Sequence, residues 1–468
     1  MITIKFGTDG WRAIIAKEYT TDNVARVANA TAAWVKANYE NPSVVISYDC
    51  RFGGPMFTEV ATKVLCEAGV KVLMTDSYCS TPMVSLGVVN HKASLGVVIT
   101  ASHNPPSYNG YKLKADFGGP SIPKHVKEVE DLIPEAATIP TTSLEEYKAK
   151  GLLEVVDLEQ EYIDSITANF DMDAINKSGL KIAYDAMYGA GQNAMRRLFP
   201  DAHLLNCEYN PSFLGQAPEP LAKNTKELAK LIKDQGDIAI GICNDGDADR
   251  IGVYDGAGNF VDSHHVLLLL VHYMHKYKGI NGKIVTSFTV SDKVKKMAAH
   301  YGLDQETTKV GFKYIGEIMV TPGQDVLVGG EESGGIAVKG HIPERDGIWV
   351  GLLLLEAMVK TGKSLRELID EVYAIVGGFD FNRNDLHLPM EQKLAIVEKC
   401  KAGAFKSFGK FNVERVETVD GFKFHLSENE WVMIRPSGTE PVLRVYAEAP
   451  NMEGVQDILN TVQDTILV

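Results

Sequence analysis

Three carboxylates occur at alternate positions of one short segment, and their spacing suggests metal chemistry. They are Asp245, Asp247 and Asp249. In an extended loop such side chains point the same way, so their charges would repel one another unless a cation lay between them. A hard divalent ion such as Mg²⁺ prefers oxygen ligands of this kind. A calcium-binding loop does not fit, because it needs Gly and Glu where this segment has Arg250 and Gly256. A solvated acidic turn is the alternative interpretation.

A serine and a histidine stand side by side at the end of a predicted strand. Ser102 follows the apolar run 95–100 and precedes His103 and the turn-forming pair Asn104-Pro105. The small residue before Ser102 and the turn after it predict an exposed hydroxyl that can act as a nucleophile. Most segments of this kind are only turns. No G-x-S-x-G elbow occurs here, so serine-hydrolase chemistry is not indicated.

A loop near the C-terminus combines a guanidinium group, two hydroxyl groups and a glycine within five residues. These are Arg435, Ser437, Gly438 and Thr439. Charge and directed hydrogen bonds from such a loop suit a phosphate group. The alternative is an exposed β-turn with a surface arginine.

Two glycine-containing segments resemble nucleotide-binding motifs only in part. The segment 189–194 has the spacing G-x-G-x-x-A, but one copy is a weak signal and an ordinary strand-to-helix turn explains it. Residues 362–364 resemble the end of a P-loop, yet the required earlier glycine is Ala357. The sequence therefore favours neither a dinucleotide site nor a P-loop.

Short apolar runs alternate with helical periodicity over most of the chain, which indicates α/β folding with largely parallel sheets. The alternation begins near residue 44 and restarts near 181 and 283. Each repeat contains a polar loop directly after an apolar strand, and these loops are 100–105, 244–250 and 329–335. Because ligands bind at the carboxyl ends of strands in open α/β sheets, we expect the three loops to converge on one cleft.

The pattern changes after Gly377-Gly378 to one helix, several short strands and a closing helix. This order predicts an α+β domain with a mainly antiparallel sheet. The charged segment 141–155 is predicted to be a linker. The predicted fold is therefore three related mixed α/β sandwich domains plus a C-terminal α+β domain, at residues 1–150, 151–252, 253–372 and 373–468.

Composition narrows the class of protein. A chain of 468 residues is long enough for several domains. Its formal net charge of −14 disfavours nucleic acid or an anionic membrane as the main partner. The six cysteines lack metal-binding spacing, which suits reduced thiols. Neither a signal peptide nor 18 consecutive apolar residues can be found, so we expect a cytoplasmic protein.

Taken together and in order, five segments resemble those of the α-D-phosphohexomutase superfamily, which includes phosphoglucomutases and phosphomannomutases. The segments are Phe6 to Arg12, Thr100 to Pro105 followed by Asn109 to Lys112, Asp245 to Arg250, Gly330 to Gly334, and Arg435 to Pro441. The resemblance covers essentially the whole chain. It implies four domains around a central cleft and an isomerase that moves a phosphoryl group between carbons 1 and 6 of a hexose phosphate.

The resemblance also implies roles for individual residues. Ser102 resembles the phosphoserine, and the three aspartates resemble Mg²⁺ ligands, joined by an oxygen of the seryl phosphate. Lys112 resembles a general acid/base, assisted by His103, while Arg12 and Arg250 resemble residues that stabilise charge on the phosphoryl group. A lysine acts as a base only if its pKa is lowered, and we expect the two arginines to lower it.

Further residues resemble the substrate contacts of the superfamily. Glu331 and Ser333 are similar to residues that hold sugar hydroxyls, and Lys313 to a further substrate contact. Arg435, Ser437, Gly438 and Thr439 resemble the site for the phosphate group that does not react. The implied reaction passes through a hexose 1,6-bisphosphate, which would also serve as activator.

The resemblance favours one sugar over two others and leaves two alternative activities. Dual-specificity members often have histidine where this chain has Gly335, which favours glucose over mannose, with phosphoglucosamine third. A metal-dependent sugar phosphatase is an alternative activity, and a non-catalytic sugar-phosphate-binding regulator is another. The expected partner is a small phosphosugar. The sequence leaves the oligomeric state open.

Overall fold

The computed structural model describes residues 2–7, 9–437 and 442–467. It divides into two compact units. The first contains Met1–Val285 and Gly311–Ile369, and the second contains Thr286–Val310 and Asp370–Val468.

The strands have the following bounds in chain order: β1 Trp11–Ile14, β2 Ser43–Tyr48, β3 Lys71–Met74, β4 Leu95–Ile99, β5 Tyr108–Ala115, β6 Leu153–Val155, β7 Lys181–Asp185, β8 His203–Leu205, β9 Ile238–Asn244, β10 Ile251–Asp255, β11 Phe260–Val261, β12 Lys283–Ser287, β13 Gln305–Thr308, β14 Val326–Gly330, β15 Ile336–Val338, β16 Asp380–His387, β17 Ser407–Phe408, β18 Phe411–Asn412, β19 Arg415–Glu417, β20 Phe422–Ser427, β21 Glu430–Pro436 and β22 Val442–Ala449.

The α-helices have these bounds: α1 Thr21–Asn38, α2 Gly54–Glu67, α3 Thr81–Asn90, α4 Pro123–Asp131, α5 Leu144–Ala149, α6 Leu158–Asn169, α7 Met172–Lys177, α8 Gln192–Leu198, α9 Lys226–Gln235, α10 Ser263–His272, α11 Lys293–Tyr301, α12 Phe312–Val320, α13 Gly347–Thr361, α14 Leu365–Val376, α15 Met390–Lys401 and α16 Met452–Ile466.

The sheets of the first unit are mixed. Its first sheet has the order β1-β5-β4-β2-β3-β6, in which β4, β2, β3 and β6 are parallel and β5 and β1 are antiparallel to their neighbours. The second sheet has the order β11-β10-β9-β7-β8, with parallel β7, β8 and β9. The central strands are buried apolar runs, as expected where helices cover both faces of a sheet.

The three polar loops predicted to bind ligands all connect antiparallel neighbours. They join β4 to β5, β9 to β10, and β14 to β15. A chain that reverses in a short connection keeps both ends of the loop fixed by strand hydrogen bonds. The loops therefore lie on rigid supports, which suits residues that must be held in place.

The segment 141–155 is not a linker, so that prediction is wrong. Its helix α5 begins with a capping box between Ser143 and Glu146, and β6 pairs in parallel with β3. The Tyr147 side chain is buried and donates a hydrogen bond to Glu67 at 2.6 Å. Strand β6 is an edge strand of the first sheet, and the side chains of Tyr147 and Leu153 join the core.

In the second unit, β16, β22, β21, β20 and β19 form an antiparallel sheet in that order. Apolar side chains of α15 and α16 pack with those of the sheet in one core. Together with the mixed sheets of the first unit, this confirms the predicted fold class. Strand β16 was not predicted, because this edge strand is polar and only half-buried.

All six cysteines are buried as free thiols, as their spacing suggested. Within the described ranges, every helix is too short or too polar to cross a bilayer.

Candidate active site

The loop that contains the three aspartates, Asp245 to Arg250 (the acidic loop), is held by hydrogen bonds between its two ends. Asn244 and Ile251 are paired across β9 and β10, and the Asn244 side chain donates to the Arg250 carbonyl oxygen at 2.8 Å. The Tyr184 hydroxyl donates to Asn244 Oδ1 at 2.9 Å. Ala248 has a φ of 56°, which allows the tight reversal between the second and third aspartates.

The absence of a side chain at Gly189 lets a neighbouring backbone segment approach this loop closely. A Cβ atom at Gly189 would lie 2.6 Å from the carbonyl oxygen of Asp245, and Ala190 N–H donates to the Gly246 carbonyl oxygen at 2.9 Å. The G-x-G-x-x-A segment therefore supports the backbone of the acidic loop.

The carboxylates of Asp245, Asp247 and Asp249 are fully buried, and one oxygen of each lies within 4.8 Å of the others. Burial and the neighbouring Asp249 and Asp247 charges raise the pKa of Asp245 well above its usual value. Among the described residues, Oδ1 of Asp247 and Oδ1 of Asp249 have no hydrogen-bond partner. Three buried carboxylates this close together, two of them with an open oxygen, fit a divalent cation such as Mg²⁺.

Ser102 lies against the acidic loop, in the loop that joins β4 to β5 (the Ser102 loop). Its Oγ donates to Asp245 Oδ2 at 2.7 Å and is 3.3 Å from His103 Nδ1. Its φ of 53° is unusual for a residue with a side chain. The prediction of an exposed hydroxyl is wrong, because Ser102 is only 1% exposed. The acidic loop covers it so closely that a Cβ atom at Gly246 would lie 2.5 Å from the Ser102 carbonyl oxygen.

Lys112 is fully buried among carboxylates. Its Nζ is 2.7 Å from Asp247 Oδ2, 3.0 Å from Asp249 Oδ2 and 2.8 Å from Asp9 Oδ2. The expected lowering of its pKa is wrong. Burial by itself would lower the pKa, but the three carboxylates raise it well above the usual lysine value. Lys112 is therefore a charged ammonium group in this arrangement, and it donates hydrogen bonds to Asp247 and Asp249.

Asp9 and Arg345 complete this charge cluster, and the sequence analysis gave neither a role. Arg345 Nη2 is 2.5 Å from Asp9 Oδ2 and 2.8 Å from Asp249 Oδ2. Burial raises the pKa of Asp9, but Lys112, Lys114 and Arg345 together hold it well below its usual value. Asp9 stands inside the matched segment Phe6 to Arg12, which was the available signal. Nothing in the spacing around Arg345 indicated its contacts.

The other predicted catalytic residues lie around Ser102. Arg12 Nη1 donates to Asn104 Oδ1 at 2.8 Å. The Arg250 backbone N–H donates to Asp245 Oδ1 at 3.0 Å. Burial, followed by the charges of Arg250, Arg12 and Lys112, lowers the pKa of His103 well below its usual value. His103 is therefore neutral at physiological pH and can accept a hydrogen bond.

The predicted sugar-binding loop is attached to the acidic loop. Ile251 N–H donates to the Gly334 carbonyl oxygen at 3.1 Å. Glu331 is buried, its Oε1 accepts from Gly311 N–H at 2.9 Å, and burial followed by the Glu332 charge raises its pKa to about 7. Ser333 and Lys313 are half-buried, in the β14–β15 connection and in the first turn of α12.

The predicted phosphate-binding residues lie in the second unit, at the end of β21. Arg435 Nη2 is 3.1 Å from Asp420 Oδ2. Ser437 N–H donates to the Val442 carbonyl oxygen at 2.9 Å, and the Ser437 carbonyl oxygen accepts from Lys393 Nζ at 2.6 Å. Gly438 and Thr439 lie outside the described residues.

Four family models match successive parts of the chain. They are described as phosphoglucomutase/phosphomannomutase alpha/beta/alpha domain I (residues 3–139), alpha/beta/alpha domain II (160–258), alpha/beta/alpha domain III (262–376) and C-terminal domain (388–465).

Relatives that are named for different activities are similar to this chain over nearly its full length. A phosphoglucosamine mutase from Levilactobacillus brevis is 30% identical, over 98% of this chain and 98% of the relative. A phosphoglucomutase/phosphomannomutase from Thermococcus kodakarensis is 28% identical, over 97% and 96%. The crystal structure of a Thermus thermophilus protein assigned to the phosphomannomutases has a TM-score of 0.87 at 32% identity and 99% coverage of both chains.

The acidic loop predicts a measurable metal effect on stability. Mg²⁺ should raise the melting temperature of the wild-type protein, because a ligand that binds only the folded state stabilises it. Asp247→Asn should weaken Mg²⁺ affinity by at least about tenfold, or about 1.4 kcal/mol, since one ionised ligand is lost. Calorimetry across Mg²⁺ concentrations measures both. Asp173→Asn, at an exposed pair with Lys177, is the control. A wild-type increase retained in Asp247→Asn would contradict the metal assignment.

Because the acidic loop lies so close to the Ser102 loop, one added methyl group between them should destabilise the protein. Gly246→Ala should lower the free energy of unfolding by about 1–3 kcal/mol, because its Cβ would meet backbone that cannot move easily. Urea denaturation measures the change. Gly378→Ala, where a Cβ meets no described residue within 4 Å, is the control. Equal stability of the two variants would show that the loops are not packed this closely.

Proposed function

The chain belongs to the phosphoglucomutase/phosphomannomutase family, whose members are isomerases that transfer a phosphoryl group within a hexose phosphate. From that premise we propose that this protein interconverts hexose 1-phosphates and hexose 6-phosphates through a phosphorylated Ser102 and a 1,6-bisphosphate. We further propose that each of the four matched segments is one domain of the enzyme.

One observation carries the proposal: the hydroxyl of Ser102 lies 2.7 Å from Asp245, in a loop whose other two carboxylates contact Lys112. A hydroxyl group, open carboxylate oxygens and a charged ammonium group thus lie together. Phosphoryl transfer needs these three elements, because it depends on positioning and on neutralising charge.

We propose that Asp245, Asp247, Asp249 and an oxygen of the phosphorylated Ser102 hold Mg²⁺. When bound, this ion would neutralise negative charge on the phosphoryl oxygens. Arg12 and Arg250 are proposed to stabilise charge on the same group, and both stand beside the Ser102 and acidic loops.

The proposed reaction has two transfers. First, the bond from Ser102 Oγ to phosphorus breaks while the free sugar hydroxyl forms a bond to the same phosphorus. The hydroxyl loses its proton and Ser102 Oγ gains one. The bisphosphate then reverses its orientation, and its other phosphoryl group returns to Ser102. Lys112 is proposed to give and take these protons, with neutral His103 as a hydrogen-bond acceptor. The position of Lys112 Nζ beside Asp247 and Asp249 supports this role.

The remaining residues are proposed to bind the substrate. Glu331 and Ser333 would hold sugar hydroxyls and Lys313 would contact the substrate. Arg435, Ser437, Gly438 and Thr439 would bind the phosphate group that is not reacting. The guanidinium group and two hydroxyl groups that this sequence segment contains support that assignment.

Glucose phosphate is the proposed first substrate, followed by mannose phosphate and phosphoglucosamine. Relatives bear the names of all three activities, so the family does not separate them. The buried cysteine thiols support a reducing, cytoplasmic site of action. Product analysis with purified protein, Mg²⁺, the three 6-phosphates and a catalytic amount of the matching 1,6-bisphosphate decides the order.

The first functional prediction concerns the phosphoryl carrier. Ser102→Ala should abolish mutase activity and leave the protein folded, because only one hydroxyl is removed. Intact mass measurement should find one phosphate on wild type after incubation with glucose 1,6-bisphosphate and none on the variant. Near-wild-type turnover by Ser102→Ala would rule out the phosphoserine.

The second functional prediction concerns the phosphate that does not react. Arg435→Ala should lower kcat/KM by about 10²-fold, because a remote binding group aligns the reacting one. The variant should also release more bisphosphate and so need more added activator. Arg415→Ala, on the exposed strand β19 of the same sheet, is the control. If the Arg435 and Arg415 variants have equal kcat/KM and equal activator requirements, the loop does not bind the substrate.

A further inference from the structure

Arg51 is the arginine that makes the most hydrogen bonds to the Ser102 loop, although it has no place in the proposed chemistry. It follows strand β2 and is fully buried. Its Nη2 donates to the carbonyl oxygens of Ser102 at 2.5 Å and Asn104 at 2.6 Å. Its Nη1 donates to those of Pro105 at 2.9 Å and Tyr108 at 3.2 Å. One side chain therefore holds the Ser102 loop at four points, from the serine to the first residue of β5.

The remaining nitrogen of the guanidinium group faces an anion. Arg51 Nε lies 3.2 Å from Asp49 Oδ2 as an ion pair, and Asp49 Oδ1 accepts from the Arg51 backbone N–H at 2.9 Å. The guanidinium carbon lies 5.0 Å from the centre of the Phe213 ring. Nε makes no hydrogen bond among the described residues, so its contact with Asp49 is one of charge alone. Since arginine carries its N–H groups in a fixed planar arrangement, Nη1 and Nη2 together can reach the four carbonyl oxygens of the loop.

Asp49 connects the same pair to the other side of Ser102. The Thr100 hydroxyl donates to Asp49 Oδ2 at 2.5 Å and accepts from the Ser102 backbone N–H at 2.9 Å. Both backbone polar groups of Ser102 are thus held: the carbonyl oxygen by Arg51, and the N–H through Thr100. This network fixes a residue whose φ of 53° would otherwise be unfavourable.

We propose that Arg51 is a positioning residue of this enzyme. It holds the Ser102 loop in place so that Oγ of the reactive serine faces the acidic loop. The proposal depends on the proposed function, since it assumes that Ser102 accepts the phosphoryl group. The contacts of Arg51 described above are with the loop backbone, Asp49 and Phe213, so it acts through Ser102. Its loss should slow the transfer itself while substrate affinity stays the same.

Lysine is the informative replacement. Arg51→Lys keeps the charge opposite Asp49, but its three N–H donors lie on one nitrogen and cannot reach four carbonyl oxygens. The matched control is Arg26→Lys, because Arg26 is also a buried arginine of the first unit that donates to backbone. Its Nε donates to the Pro134 carbonyl oxygen at 2.7 Å and its Nη1 to Asn23 Oδ1 at 2.8 Å.

The experiment measures the single-turnover rate at which glucose 1,6-bisphosphate phosphorylates Ser102, by quenched mass spectrometry. For Arg51→Lys we expect this rate and kcat to fall by about 10²-fold, as for a reacting group displaced by about 1 Å, with KM unchanged. Arg26→Lys should keep the wild-type rate. A second variant, Arg51→Ala, should regain phosphorylation when guanidinium ion is added at millimolar concentration, and ethylammonium ion should have no such effect.

The outcomes separate this inference from the proposed function. If wild type takes up no phosphoryl group on Ser102, the proposed function fails and this inference fails with it. If wild type is phosphorylated and folded Arg51→Lys is phosphorylated equally fast, the positioning role alone is wrong. A slower Arg51→Lys whose defect lies entirely in KM would also overturn it. Should Arg51→Ala not fold, Arg51→Lys still decides.

Discussion

The repulsion between three buried aspartate side chains is the constraint on which the rest of the site depends. Two unit charges 4.8 Å apart repel by about 3 kcal/mol at an effective dielectric constant of about 20. The surrounding structure offsets this repulsion with cations: Lys112 contacts Asp247 and Asp249, and Arg345 contacts Asp249. These cations contact one oxygen of each of these two carboxylates. Among the described residues, nothing hydrogen-bonds to the opposite oxygens, which stay open as a metal site requires.

The same charges explain why the supporting backbone is so closely packed. A loop with three converging carboxylates keeps its shape only if its backbone is held from outside, and the Gly189 segment and the Ser102 loop both do so. Asp9 then links Lys112 to Arg345, so that cations and anions alternate through the buried cluster. Removing one member would leave a buried charge without its partner, which costs more than the contact itself contributes.

The sequence alone was sufficient to predict the fold class, and it singled out residues that the structure brings close together, because their types and spacing have a chemical meaning. Ser102 and Asp245 are 143 positions apart, and the structure brings them together as the strand-end argument expected. Residues whose partners are distant and whose own spacing is ordinary could not be found this way. Arg345 contacts Asp9 across 336 positions, and no local pattern announces such a pair. The same reason explains the wrong prediction of an exposed Ser102, since the loop that covers it comes from another sheet.

The central claim is that the phosphoryl group on Ser102 passes to the sugar, and a label-transfer measurement tests it most directly. The enzyme would first be phosphorylated on Ser102 with a radioactive phosphoryl group, then mixed with unlabelled glucose 1-phosphate and Mg²⁺ in a single turnover. The account predicts that the label leaves the protein and appears at carbon 6 of the sugar phosphate, with none in inorganic phosphate. Label that remains on the protein while product forms, or that appears as inorganic phosphate, would contradict it.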